Sequence, residues 1–210
     1  MAKVTCARFT FAGITSGGDG SAMVYHDGVM LDDYLAKVDI TEDRTNDAEY
    51  ADGNKIDSEA IATGAHMALE LVNNNNDIRK GVLGYKEGSD GELLLTSKDA
   101  PFVGAGVLMA NRFKGTITWE GYWFYKIKFA TSGISAETRR DRTSWQHETI
   151  NGDAVDVILT ENGDAIYYAY KGGMTESAAI AWLKGHAQIS ESADPSEETT
   201  SAATETTSGT

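Results

Sequence analysis

His147-Glu148 begins like a zinc-binding helix of the His-Glu-x-x-His type, but the second histidine would fall at Asn151. The alternation around it reads as a strand, so two imidazoles cannot converge on one ion there. Cys6 is the single cysteine in the chain, with no histidine close by in sequence to activate it. The histidines His26, His66, His147 and His186 are scattered, and none stands in a nucleophile or ligand frame. Gly17-Gly18-Asp19-Gly20 lacks the Gly-Lys-Ser/Thr ending of a phosphate loop. Acid pairs such as Asp43 with Asp47, or Glu49 with Asp52, have the residue types for glycoside hydrolysis or calcium binding. In a chain with 32 acidic residues such pairs arise by chance. The expectation is a protein that is not an enzyme, with no catalytic residue, no metal and no cofactor.

The chemistry that remains is electrostatic. From Ala36 to Glu59 the chain holds Asp39, Glu42, Asp43, Asp47, Glu49, Asp52, Asp57 and Glu59 against only Lys37, Arg44 and Lys55. From Arg112 to Arg142 the balance inverts, with Arg112, Lys114, Lys126, Lys128, Arg139, Arg140 and Arg142 against Glu120, Glu137 and Asp141. An acidic arm and a basic loop on one molecule suit a head-to-tail contact between identical copies. A solvated charged surface is the plainer alternative.

The elements that would carry these groups are mostly strands. In the stretch from Trp119 to Asp153, Trp123, Tyr125, Ile127 and Phe129 alternate with Tyr122, Phe124, Lys126 and Lys128. The first set is expected to face a core and the second to offer an interaction face. Further strands are expected over Val4–Phe11, Ala22–Tyr25, Ala65–Val72, Leu93–Thr96, Val103–Arg112, Val155–Thr160 and Ala165–Tyr170. Gly104 and Gly106 mark a close approach to the backbone or a bend. Turns are expected at His26-Asp27-Gly28, Ser89-Asp90-Gly91, Lys114-Gly115, Asn162-Gly163 and Lys171-Gly172-Gly173. The Asn73–Asn76 run can cap a short helix carrying Ile78, Val82 and Leu83. Thr175 can cap a second helix with a stripe of Ala179, Ile180, Trp182 and Leu183.

The chain has 210 residues, room for one good core. The expectation is one domain over 1–189, with the acidic arm at about 36–62 and the basic loop at about 130–145. Residues 190–210 hold acids, Ser and Thr with no base and no large apolar residue, which implies a flexible tail. A net charge of -14 argues against gripping nucleic acid phosphates. No apolar run approaches the roughly 20 residues that span a bilayer, so a soluble, cytoplasmically made protein without membrane binding is expected.

The blocks AKVDITEDRTNDAEYADG, DIRKGVLGYKEGSDG, PFVGAGVLMANR, GYWFYKIKFATSGISAETRRDRTSW with HETINGDA, and TESAAIAWLKG follow one another over roughly Lys37 to Gly185. In order and spacing they resemble the major tail protein, or tail tube protein, family of long-tailed, non-contractile bacteriophages. The resemblance implies a mainly β fold: a two-sheet β-sandwich with one or two short flanking helices and an extended loop or arm. It also implies hexameric rings stacked into a tube that houses the tape measure protein and conducts DNA. The tail terminator and distal tail proteins are the further implied partners, and the virion tail, assembled in the host cytoplasm, the implied location. On this resemblance Glu42, Asp43, Asp47 and Glu49 are candidates for a channel or ring interface. Arg139, Arg140 and Arg142 are candidates for an inter-ring or inter-subunit loop, and Tyr122, Phe124, Lys126 and Lys128 for an interface strand. The alternative expectation is a carbohydrate-binding β-sandwich module, with Trp119, Tyr122 and Trp123 as a stacking platform.

Overall fold

A computed structural model describes residues 2–32, 34–51, 54–72, 75–131 and 147–189. Strand makes up 61% and helix 11%, which puts the chain in the mainly β class. The strands are β1 (Ala2–Ser16), β2 (Val24–Leu31), β3 (Leu35–Ala51), β4 (Asn54–Leu71), β5 (Lys86–Glu87), β6 (Leu93–Leu94), β7 (Phe102–Phe113), β8 (Thr116–Thr131), β9 (Glu148–Ala154), β10 (Val157–Ile158), β11 (Ala165–Ile166) and β12 (Tyr168–Met174). The helices are α1 (Asn76–Gly81) and α2 (Glu176–His186). One antiparallel sheet runs β2-β1-β7-β8-β9-β4-β3, and β12 pairs with β8 beside β9. The two-sheet expectation is thereby refined: the halves facing each other across the core belong to one continuous sheet folded on itself. The fold brings β3 back toward β1, where Cys6 Sγ lies 3.8 Å from the Leu35 carbonyl.

The main core fills the inside of this fold. Phe9 and Phe11 from β1, Met67, Leu69 and Leu71 from β4, Val103, Ala105 and Val107 from β7, and Ile127 and Phe129 from β8 meet there. The ring of Phe9 meets that of Phe129 edge to face at 6.1 Å. The α1 helix closes one side with Ile78 and then Val82 and Leu83. Its N-cap is Asn75, whose Oδ1 accepts from the Ile78 N–H at 3.0 Å.

A second core lies on the other face of β7 and β8, under α2. Leu108, Trp123, Ala179, Leu183 and Tyr25 form it, and Thr175 caps α2 through the Ala178 N–H. With both faces covered, Val103 through Asn111 are buried without a break. Gly104 and Gly106 make that possible. A Cβ at Gly106 would stand 2.5 Å from Leu183 and 2.6 Å from the Tyr122 carbonyl, and one at Gly104 2.5 Å from the Tyr25 ring.

Two expected turns prove to lie inside strands. Asp27, with φ of 49°, sits within β2, and Lys171-Gly172 lies at a register shift in β12. Lys114 and Gly115 do form the tight turn between β7 and β8, both with positive φ.

The largest departure from simple alternation is in β8. Val103 pairs with Ile127 but Ala105 pairs with Phe124, so β8 carries one extra residue at Tyr125-Lys126. The bulge flips the strand. Phe124 joins Ile127 and Phe129 in the main core, whereas Trp123 packs under α2 with Tyr125 against it.

Candidate functional site

Among the described residues, the β3–β4 hairpin is the part that its own body leaves least finished. Near its base β4 pairs with β9 from Leu71 to Ala65; further out, from Arg44 opposite Ala62 to Ala51 opposite Asn54, the two strands pair only with each other among the described residues. At about 3.3 Å per residue this free arm extends roughly 25 Å. Its register sets acid against acid: Asp47 opposite Glu59, and Glu49 opposite Asp57. Like charges at opposed positions disfavour an isolated hairpin, and a two-stranded ribbon alone is marginal in water.

Both faces of the arm's root carry polar links to the body. On the inner face, Glu42 accepts from the Tyr168 hydroxyl on β12 through one carboxylate oxygen. Through the other it meets Arg44, with Nη2 at 2.7 Å and Nε at 3.0 Å. The Tyr168 hydroxyl first, then Arg44, hold the Glu42 carboxyl below its ordinary range. Tyr122 stands beside this pair, its ring 5.8 Å from that of Tyr168 and 4.9 Å from that of Tyr170. Burial is the main cause that pushes Tyr122 and Tyr168 each to about 12, so both phenols stay protonated donors. Val38, Ile40, Glu42, Met109, Tyr122 and Tyr168 line a cleft of about 300 Å³ at this place.

On the outer face a row of charges crosses four strands. Lys128 of β8 is registered opposite Asp153 of β9, and Asp153 opposite His66 of β4. His66 then reaches Asp43 of β3. Its Nδ1 lies 2.7 Å from Asp153 Oδ1 and its Nε2 2.7 Å from Asp43 Oδ2. The two carboxylates, Asp43 first, raise the His66 pKa.

The sequence-derived candidates scatter over this picture. Glu42 and Asp43 lie at the arm's root on opposite faces, and Asp47 and Glu49 lie further out along the β3 backbone. Arg139, Arg140 and Arg142 fall outside the described residues, as do most of the expected basic loop and residues 190–210. The proposed interface strand does not hold together as one face, because the β8 bulge divides it. Phe124 is fully buried in the main core and has no surface to give a partner. Tyr122 shares its face and lines the inner cleft. Lys126 and Lys128 point the other way, with their ammonium groups 5.2 Å and 4.5 Å from the centre of the Phe102 ring, and Lys128 is paired with Asp99. The three rings of the alternative reading form no common platform either. Trp123 is fully buried beneath α2, and Tyr122 is on the opposite face of β8.

The remaining reactive types are engaged locally. His147 stands just before β9 with Nδ1 2.9 Å from Glu70, His186 Nδ1 meets the Trp182 carbonyl at 3.0 Å, and His26 pairs with Asp27. Burial raises the Cys6 thiol pKa, away from the reactive thiolate. Among the described residues no group of three His, Cys, Asp or Glu could hold a metal ion. The clusters sequence reasoning missed are His66 with its two carboxylates and the Tyr122–Tyr168–Tyr170 group. His66 falls between Ala65 and Met67 in the strand expected over Ala65–Val72, which turns it to the opposite face, but its partners are 23 and 87 residues away in the chain.

A scan against protein-family models finds no match, and a search of curated proteins finds no similar one.

Proposed function

We propose that this chain is a structural subunit that assembles with copies of itself into hexameric rings. The rings stack into the tail tube of a long-tailed, non-contractile bacteriophage, where the tube houses the tape measure protein and conducts DNA. The single observation that carries this reading is the β3–β4 arm. It extends beyond its last partner strand, with acid opposed to acid, and a second copy bringing bases and strand edges would complete it. The net charge of -14 suits a conduit, because an acidic wall repels passing phosphates and keeps the duplex from sticking. The role requires no cofactor and no catalytic group. In it the arm, with Asp43, Asp47 and Glu49, faces a channel or a neighbouring subunit, and Arg139, Arg140 and Arg142 supply the opposite charge at a contact between copies.

Charge reversal tests that assignment. The triple variant Arg139→Glu, Arg140→Glu, Arg142→Glu is expected to remain folded by circular dichroism and to lose tube formation by electron microscopy. Tubes of normal length from this variant would reject the loop as a contact.

A further inference from the structure

We propose that His66 is a pH-operated latch at the root of the β3–β4 arm, closed when the imidazolium bridges Asp43 and Asp153 and opened when the ring loses that proton. The geometry requires the charged ring. A neutral imidazole has one N–H, so only one of the two 2.7 Å contacts could be a hydrogen bond. The other nitrogen would then present a lone pair to a carboxylate.

The location makes the bridge mechanically significant. The pairing of β4 with β9 stops at Ala65 and Ala154, one residue beyond the His66–Asp153 pair. On β3, Asp43 is the last residue before the register shift between Asp43 and Arg44, and Gly64 stands opposite it. His66 therefore ties together three strands at the place where they become two. The side chains of His66, Asp43 and Asp153 are 40%, 62% and 82% exposed, so protons reach the bridge without unfolding.

The neighbouring charges leave His66 as the group that decides. On β3 the facing groups are Asp43 and Asp39, and Asp39 is paired with Lys37. On β4 itself Glu70 is taken by His147, the residue just before β9. Beyond Asp153 stands Lys128 of β8, held by Asp99. The inner-face link at the same root, Glu42 with Tyr168 and Arg44, keeps its charge state through the neutral range, since Glu42 is held low and Tyr168 sits at about 12. With its folded pKa raised, His66 steadies the arm fully below the unfolded value of about 6.5. That contribution disappears as pH climbs through the folded value, so the latch opens on the alkaline side. The inference concerns a single chain and holds whether or not copies assemble.

Amide hydrogen exchange of the full chain, followed by mass spectrometry and corrected for intrinsic rates, tests it between about pH 6 and 9. Arm peptides from 44–62 are expected to lose protection roughly fivefold across this window, while the β7 core peptide stays unchanged. In His66→Gln the arm is expected to show no such dependence. In Asp153→Asn, which keeps the strand and removes one carboxylate, the loss is expected to move to lower pH. An equal loss in His66→Gln, a flat wild-type profile, or an unmoved midpoint in Asp153→Asn would overturn the latch. Assembly is read separately by sedimentation of the same samples, so a failed latch and a failed tube reading are distinguishable.

Discussion

Phe124 shows how one inserted residue decides a side chain's role. Strict alternation assigns it to the same surface as Lys126, yet the bulge at Tyr125-Lys126 turns it into the main core, fully buried. Phe124→Ala is therefore expected to cost about 3–5 kcal/mol of stability in denaturant unfolding, whereas Lys128→Ala, which loses a pair with the exposed Asp99, has a far smaller effect. Equal small effects would place Phe124 on the surface after all. The tyrosines give a pH signature. Tyr122 and Tyr168 ionise at about 12 when folded, above the value of about 10 in an unfolded chain. The stability they contribute is complete below about pH 10 and is lost as pH rises toward 12. Denaturant midpoints should fall over that interval, and Tyr168→Phe should flatten part of the fall. At this scale the sequence was legible where periodicity is unbroken: Met67, Leu69 and Leu71 alternate within the strand expected over Ala65–Val72, and all three are buried. It was illegible for His66, whose partners lie on two strands remote in the chain.

At the scale of elements, local chemistry announced the helices and tight turns. Asn75 and Thr175 cap α1 and α2, and Lys114-Gly115 turns the β7–β8 hairpin, because each signal is contained within a few neighbouring residues. The bulge in β8 carries no such signal, since no glycine or proline marks Tyr125-Lys126 and the shift is imposed by packing on both faces. The acidic segment was legible as poor core material, and the backbone adds that it pairs with itself as a long hairpin. Beyond its root, none of the arm's described side chains joins either core, and Ile61 is 53% exposed. Replacing residues 44–62 with a two-residue Asn-Gly turn is accordingly expected to leave the body folded, with a melting temperature changed by a few degrees at most, and to abolish assembly. Loss of the folded body would make the arm part of the domain's own stability.

At the scale of the whole molecule, the two cores explain a stable body and leave the arm to be explained by something outside it. An acidic arm and a basic stretch on one chain can satisfy each other between copies. The same excess of negative charge that would disfavour a nucleic acid binder suits a wall past which DNA slides. The most direct measurement is negative-stain electron microscopy of the purified full chain at neutral pH. The account predicts rings and stacked tubes with a central channel. Monodisperse globules at every concentration, with no rings or tubes, would contradict it.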